Sequence, residues 1–177
     1  MMLISIGIGT SVAIIAILIV SWLTNSTNAN APSGQLPPSA LVGKHVRSFH
    51  TAGLNGGVVA APWASGHPGV VIFFASWCGP CQKEMPKVAA YLNTHSLGAV
   101  RVLGIDVNDT VSAARAFISK AHVHFPIGSD PNFTITAGRF GFGQIPETVF
   151  VNARGVVQQV YFGAIPPSQL SAGIARL

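Results

Sequence analysis

Two apolar runs dominate the hydrophobic pattern of the chain beyond residue 40. Val70 to Ala75 is short and rich in β-branched and aromatic residues, and Val100 to Val107 is nearly continuous. Both are typical of strands buried on two faces. The segments that follow them, Gln82 to about His95 and Val111 to Ala121, are typical of helices. The pattern therefore predicts two parallel buried strands, each followed by a helix.

Shorter segments complete the pattern. The predicted elements are a hairpin of Val46–Phe49 and Val58–Ala60 closed by Asn55-Gly56-Gly57, a helix from Phe133 to about Phe140, a hairpin of Thr148–Val151 and Val156–Phe162, and a final helix of Ser168–Leu177 capped by Ser168. Together with the two strand–helix units, they predict an α/β domain with a central mixed β-sheet flanked by helices on both faces.

The first 23 residues form an apolar segment of a different kind. They contain no charged side chain and are about as long as a helix that crosses the hydrocarbon core, and Trp22 stands where an interfacial aromatic is expected. A cleaved signal peptide is the alternative, with Ala29-Asn30-Ala31 as its cleavage site, but the apolar segment is long and no basic residue precedes it. We predict a transmembrane anchor at 1–23, a flexible tether at 24–40 and a folded domain at 41–177.

Charge is confined to the predicted folded domain. The ten Lys and Arg and the five Asp and Glu all lie from Lys44 onward and give a formal net charge of +5. The basic residues are scattered and not interleaved with aromatics, which argues against nucleic-acid binding, although attraction to an anionic membrane surface or an acidic partner is compatible with them. No dinucleotide fingerprint or phosphate-binding loop occurs, so no cofactor is predicted.

The chemistry is concentrated in Trp77-Cys78-Gly79-Pro80-Cys81, which contains the only two cysteines and follows the first buried strand. The N–H groups and the dipole at a helix N-terminus stabilise a thiolate. We therefore predict that Cys78 attacks disulfides and that Cys81 resolves the mixed disulfide. Gly79 and Pro80 set the turn and the helix start, since proline suits the first turn of a helix.

Other uses of the two cysteines are weaker alternatives. A tetrahedral zinc site needs about four ligands and no second cysteine pair is present, while His122 and His124 are predicted to face solvent. A structural disulfide across two residues removes little chain entropy. A copper-chaperone module would have three residues between its two cysteines and a distant His. A peroxidase would carry a Thr-x-x-Cys pattern, which is absent before Cys78. No metal is therefore predicted.

The chain resembles proteins of the thioredoxin fold in three features. These are the pentapeptide, Pro86 inside the following helix, and Ile145-Pro146 before a hairpin strand. Within that fold, the chain resembles the TlpA/ResA/DsbE (CcmG) group over about residues 41–177. The features that indicate this group are the N-terminal anchor, the Leu41-Val42-Gly43-Lys44 opening and Phe125-Pro126-Ile127. The members of that group are membrane-anchored thiol–disulfide oxidoreductases. The resemblance implies a thioredoxin-like fold preceded by one transmembrane helix.

The resemblance also implies roles for individual residues. Pro146 matches a cis-proline beside the disulfide, which exposes the backbone of Ile145 for pairing with a substrate chain. Trp77, Gly79 and Pro80 complete the predicted substrate-binding surface.

Three further positions concern proton transfer and specificity. Glu84 matches a glutamate that lies near the thiols of ResA-like proteins and is predicted to raise thiol pKa values and relay protons. Its alternative is a helix-surface residue that favours the helix dipole. Ile72 replaces the buried aspartate of cytoplasmic thioredoxin, so Glu84 or water has to accept the proton of Cys81. Pro146-Glu147-Thr148 resembles the Pro-Glu-Thr of the DsbE branch, with a strand-edge charge as the alternative role of Glu147.

These features predict a single-pass membrane protein whose extracytoplasmic domain reduces disulfides in partner proteins. The side follows because tethered exchange is most useful where disulfides persist. Apocytochrome c is the candidate substrate and a membrane thiol protein the electron donor, both by resemblance. A disulfide-forming oxidase is the alternative, since only the reduction potential, about −270 mV in thioredoxin and about −120 mV in a strong oxidant, separates the two.

Overall fold

The computed structural model describes residues 39–141 and 143–177. Their elements are β1 (His50–Ala52), β2 (Val58–Ala60), a 3₁₀ helix (Pro62–Ser65), β3 (Gly69–Phe74), α1 (Gly79–Thr94), β4 (Arg101–Val107), α2 (Val111–Lys120), β5 (Ile127–Asp130), α3 (Thr136–Phe140), β6 (Glu147–Val151), β7 (Val157–Phe162) and α4 (Pro167–Ile174). In these two ranges no helix combines the length and the apolar character needed to cross a membrane. The predicted anchor at 1–23 and the tether up to residue 38 lie outside the described residues.

The centre of the fold is a five-stranded mixed sheet with the strand order β5-β4-β3-β6-β7. β3, β4 and β5 are parallel, whereas β6 is antiparallel to both β3 and β7. Because β3→β4 and β4→β5 step in the same direction, right-handed crossovers place α1 and α2 on one face of the sheet. The predicted mixed sheet flanked by helices is thus confirmed.

Two apolar clusters cover the two faces of this sheet. Every residue of β3 is buried, and alternate side chains enter different clusters. Ile72 and Phe74 pack with α1, α2 and α4 on what we call the helical face. Val71 and Phe73 pack with the segment before β1, the 3₁₀ helix and α3 on the opposite face.

The N-terminal hairpin begins later than the sequence predicts. β1 is His50–Ala52 and not Val46–Phe49, and it pairs antiparallel with β2. Val46 and Phe49 are both buried in the cluster of the opposite face, and the Val46 N–H donates to the carbonyl oxygen of Gly155 at 2.8 Å. The apolar residues of this segment therefore contact the sheet and not a hairpin partner.

Two helix starts also differ from the prediction. α3 begins at Thr136 because Phe133 has a φ of 57° and the Asp130 carboxylate accepts hydrogen bonds from the N–H groups of Ile135 and Thr136. α4 begins at Pro167 with Pro166 in the cap position, so Ser168 is not the cap.

Candidate active site

The two cysteines lie at the junction of β3 and α1. Cys78 is the N-cap residue of α1, and its Sγ accepts a hydrogen bond from the Cys81 N–H at 3.2 Å. Cys78 and Cys81 form a disulfide with an Sγ–Sγ distance of 2.07 Å. Pro80 occupies the first turn, where its missing N–H leaves no intrahelical bond unmade. The predicted strand-to-helix position of the pair is confirmed.

The two sulfur-bearing residues differ in accessibility. Cys78 is 5% exposed, whereas Cys81 is fully buried in the cluster of the helical face. Trp77 beside them is 57% exposed, and Gly79 and Pro80 are exposed as well. Cys78 is therefore the more accessible of two cysteines that are both largely buried.

The loop between β4 and α2 holds the backbone in front of Cys78. The Asp109 Oδ2 accepts a hydrogen bond from the Ser76 N–H at 2.6 Å, and the Trp77 indole N–H donates to the carbonyl oxygen of Asn108 at 2.9 Å. In the same loop Thr110 caps α2, since its side-chain oxygen accepts a hydrogen bond from the Ala113 N–H. The contact with Ser76 was missed because its partners are 33 residues apart.

The bond between Ile145 and Pro146 is cis, as predicted. Glu147, the next residue, is paired in register with Phe73 near the C-terminal end of β3, so the cis bond lies at the same edge of the sheet as the disulfide. Ile145 is half-buried against the cluster that contains both cysteines. The structure therefore brings Ile145 and Pro146 to the edge where substrate binding is predicted.

Glu84 is a buried carboxyl group one helical turn from Cys81. It is 4% exposed, and its Oε1 accepts a hydrogen bond from the Ile165 N–H at 2.9 Å. Burial raises the pKa of Glu84 to about 7, opposed by the hydrogen bond from Ile165. The helix-surface alternative for Glu84 is wrong, because this side of α1 packs against the segment before α4. The proton-relay role stays a prediction.

Glu147 is a second buried carboxyl group, on the face of the sheet away from the disulfide. It shares the face of Phe73, its register partner, and is 0% exposed. Neither carboxyl oxygen has a hydrogen-bond partner among the described residues, and burial raises the pKa of Glu147 to about 8. The strand-edge alternative is wrong, since β6 lies between β3 and β7.

Asp106 is a buried acid that sequence reasoning missed. It lies on β4 in register with Phe74, and therefore on the helical face that carries the disulfide. Its side chain is 1% exposed with no hydrogen-bond partner in residues 39–141 and 143–177. Burial, and secondarily the charge of Asp109, raise the pKa of Asp106 to about 7. One acidic residue inside an otherwise apolar run was the available signal.

In the described part of the chain, no three His, Cys, Asp or Glu residues lie close enough together to hold a metal ion. His122 and His124 are both exposed, as predicted.

A thioredoxin-like α/β fold that presents a Cys-x-x-Cys disulfide at the end of a central strand, at the same edge as a cis-proline, defines a thiol–disulfide oxidoreductase. The chain belongs to the AhpC/TSA family, whose family model matches residues 42–160.

Relatives of known name agree with this class. The chain is 24% identical over 136 residues to the thiol-disulfide oxidoreductase ResA of Bacillus thuringiensis (strain Al Hakam), covering 77% of this chain and 78% of that protein. It is 29% identical over 132 residues to the thiol:disulfide interchange protein DsbE of Pseudomonas fluorescens biotype C, covering 72% and 70%. The predicted resemblance to ResA and DsbE is therefore confirmed.

A solved structure has the same fold. A secreted Mycobacterium tuberculosis disulfide oxidoreductase, described as homologous to Escherichia coli DsbE, superimposes with a TM-score of 0.64 at 28% identity, covering 73% of this chain and 96% of that one.

Proposed function

We propose that this protein reduces disulfide bonds in partner proteins, with Cys78 as the nucleophile and Cys81 as the resolving thiol. The observation that carries the proposal is the difference in burial between two bonded cysteines at a helix N-terminus. Cys78 is the more accessible of the two, and the helix N-terminus stabilises its thiolate.

The exchange runs in two steps from the dithiol form. The Cys78 thiolate attacks one sulfur of the substrate disulfide, a mixed disulfide forms, and the first substrate thiolate leaves. Cys81 then loses its proton and attacks the Cys78 sulfur, which releases the second substrate thiolate. Two electrons pass to the substrate, and the protein is left with the Cys78–Cys81 disulfide that the structure contains.

Resolution by a buried thiol needs a proton acceptor, and Glu84 is the candidate. Residues three apart on a helix are neighbours, so Glu84 lies beside Cys81 on α1. With a pKa of about 7, its carboxylate is available near neutral pH and can still hold the proton it receives. Ile72, packed in the same cluster as Cys81, offers no carboxylate.

Substrate binding is proposed at the exposed surface around the disulfide. Trp77, Gly79 and Pro80 form one side of it, and Ile145 and Pro146 stand at the same sheet edge. An extended substrate segment would pair with the backbone of Ile145 while its disulfide meets Cys78.

We further propose that residues 1–23 are a single-pass membrane anchor and that the catalytic domain lies outside the cytoplasm. Support comes from the apolar N-terminal segment, from the persistence of disulfides outside the cytoplasm and from the M. tuberculosis relative, which is described as secreted. Apocytochrome c is the proposed substrate by resemblance to the DsbE branch, and a membrane thiol protein would return electrons to the Cys78–Cys81 disulfide.

The deciding experiment is the reduction potential of the cysteine pair, measured on the full chain in detergent against defined thiol buffers. A value near or below about −250 mV supports a reductant. A value between about −180 and −120 mV would assign the protein to disulfide formation or isomerisation, and a pair that never exchanges would contradict the redox function altogether.

The location has its own test. A membrane-impermeant maleimide added to intact, reduced cells should label the chain at Cys78, and labelling only after lysis would contradict an extracytoplasmic domain.

A further inference from the structure

The folded domain has a one-sided charge distribution. All ten Lys and Arg lie within the described residues and are exposed, whereas Glu84, Asp106, Asp130 and Glu147 are buried. The fifth acid, Asp109, is half-buried and uses both carboxylate oxygens to accept N–H groups, those of Ser76 and Thr110. The solvent-facing charge of these side chains is therefore almost purely positive.

A groove of about 310 Å³ lies beside the active site, between α1 and α2. We call it the α1–α2 groove, and its main lining residues are Ser76, Gln82, Pro86, Ala116, Phe117 and Lys120. Ser76 lies two residues before Cys78, and the Gln82 side-chain amide donates to the Ser76 carbonyl oxygen at 2.6 Å. The groove therefore opens next to the disulfide.

The lining of the groove combines an apolar wall with a cation. Phe117 is held in place by its ring contact with Phe74, at 5.7 Å between ring centroids, and Pro86 stands across from it on α1. Lys120 is the charged residue among the lining side chains. The nearby solvent side of α1 adds Lys83 and Lys87, both exposed.

We propose that the α1–α2 groove docks an acidic segment of the disulfide-containing substrate, with an Asp or Glu side chain at Lys120 and an apolar neighbour against Phe117 and Pro86. The inference rests on the proposed function and adds the chemistry of the substrate. A volume near the lower end of ligand sites, which span about 300–1,000 Å³, suits one or two side chains. A concave site of this kind fits a peptide segment better than the flat surface of a membrane.

The test uses two disulfide-linked fluorogenic peptides that differ only in having two Glu or two Lys beside the cystine. The reduced full chain in non-ionic detergent should reduce the acidic peptide about tenfold faster than the basic one, as expected for complementary charge at a docking surface. Equal rate constants for the two peptides would overturn the inference.

Two charge-matched variants on α2 separate the groove from the general field of the protein. Ala116 lines the groove and Ser119 does not, and both side chains are exposed. A116E should lower the rate constant with the acidic peptide about tenfold, and S119E less than about twofold. Equal losses in both variants would show long-range steering alone and overturn the groove as a docking site.

In a second pair of variants, each substitution removes one cationic side chain. K120Q should reduce the preference for the acidic peptide by about threefold or more, whereas R154Q, in the exposed turn between β6 and β7, should leave the preference unchanged. Equal effects of K120Q and R154Q would count against the groove.

Two further outcomes are distinguishable. If neither peptide is reduced, the proposed function itself fails. If both are reduced without a charge preference, the groove does not select an acidic substrate and the inference is overturned, although the exchange activity stands.

Discussion

Both faces of the central sheet bury carboxyl groups, but only one of the two faces carries the disulfide. On the helical face, Glu84 and Asp106 share their side of the sheet with the disulfide. On the opposite face, Glu147 lies in register with Phe73, whose ring belongs to a group of edge-to-face aromatic contacts. The ring centroid of Phe73 is 4.9 Å from that of Phe140, and that of Phe140 is 6.2 Å from that of Phe49. No sulfur lies on that face within the described part of the chain.

A raised pKa is common to the buried acids of both faces, whereas proximity to a cysteine is not. Burial is the first cause of the raised pKa of Glu84, Asp106 and Glu147 alike. A raised pKa by itself therefore does not identify a catalytic group. What distinguishes Glu84 is its place one turn from Cys81, whereas Glu147 has the sheet between itself and the sulfurs.

The largest effect should come from the thiols on the helical face. C78S should lower the rate of disulfide reduction by more than about 10³-fold, because the thiolate is the nucleophile. C81S should keep the first step and accumulate a mixed disulfide with the substrate, measured by mass spectrometry of the intact protein. Trapping by C78S and not by C81S would reverse the assigned roles.

On the opposite face, truncation of a ring should cost stability without touching chemistry. Phe140 is 1% exposed and contacts Phe73 and Phe49, so F140A should lower the free energy of unfolding by about 3–5 kcal/mol. Urea denaturation measures the loss, and the rate constant per folded molecule should be unchanged. A large fall in that rate constant would show that the two faces are coupled.

The buried acids should make the protein less stable as the pH rises. Their pKa values are higher in the folded state, about 7 to 8, than the ordinary values near 4, so the folded state binds more protons between pH 5 and 8. Stability should therefore fall with rising pH in this window, by up to about 1.4 kcal/mol per pH unit for each group, and level off above pH 8. Denaturant titrations of wild type and E147Q test this, and a wild-type slope equal to that of E147Q would contradict it.

The same substitution on both faces sharpens the contrast. E84Q keeps an oxygen for the Ile165 N–H but loses the proton acceptor, so the rate of mixed-disulfide resolution should fall about tenfold and the inflection near pH 7 should disappear. E147Q, its matched control, should leave the pH–rate profile unchanged. Identical profiles for wild type and E84Q would leave water as the proton acceptor.

The smallest expected effect concerns the loop that holds Ser76. D109N weakens a charge-assisted bond to the Ser76 N–H, so we expect a loss of about 1 kcal/mol of stability and a threefold to fivefold lower exchange rate, about the value of one such bond. T110A, which removes the hydroxyl that caps α2 and contacts Ser112, is the control. An equal fall in exchange rate for both variants would assign the effect to α2 and not to Ser76.

Local patterns in the sequence determined much of the fold. The apolar runs of β3 and β4, the helix after the cysteines and the β6–β7 hairpin were all predicted from residues close together in the chain. The cis bond before Pro146 was instead implied by the resemblance to the thioredoxin fold. β5 was not, because Ile127–Asp130 is only four residues long and includes a glycine. A Cβ on Gly128 would collide with Thr51 of β1, a contact that no local pattern reveals.

The sequence by itself determined the identity of the reactive pair, because a Cys-x-x-Cys after an apolar strand places both thiols at one helix N-terminus. The tertiary structure decided which carboxyl groups share the environment of that pair. Ile165 meets Glu84 across 81 residues and Asp109 meets Ser76 across 33, and the pairing of β6 with β3 puts Glu147 on the far face. Burial and proton affinity depend on such distant contacts, so only the folded chain determines them.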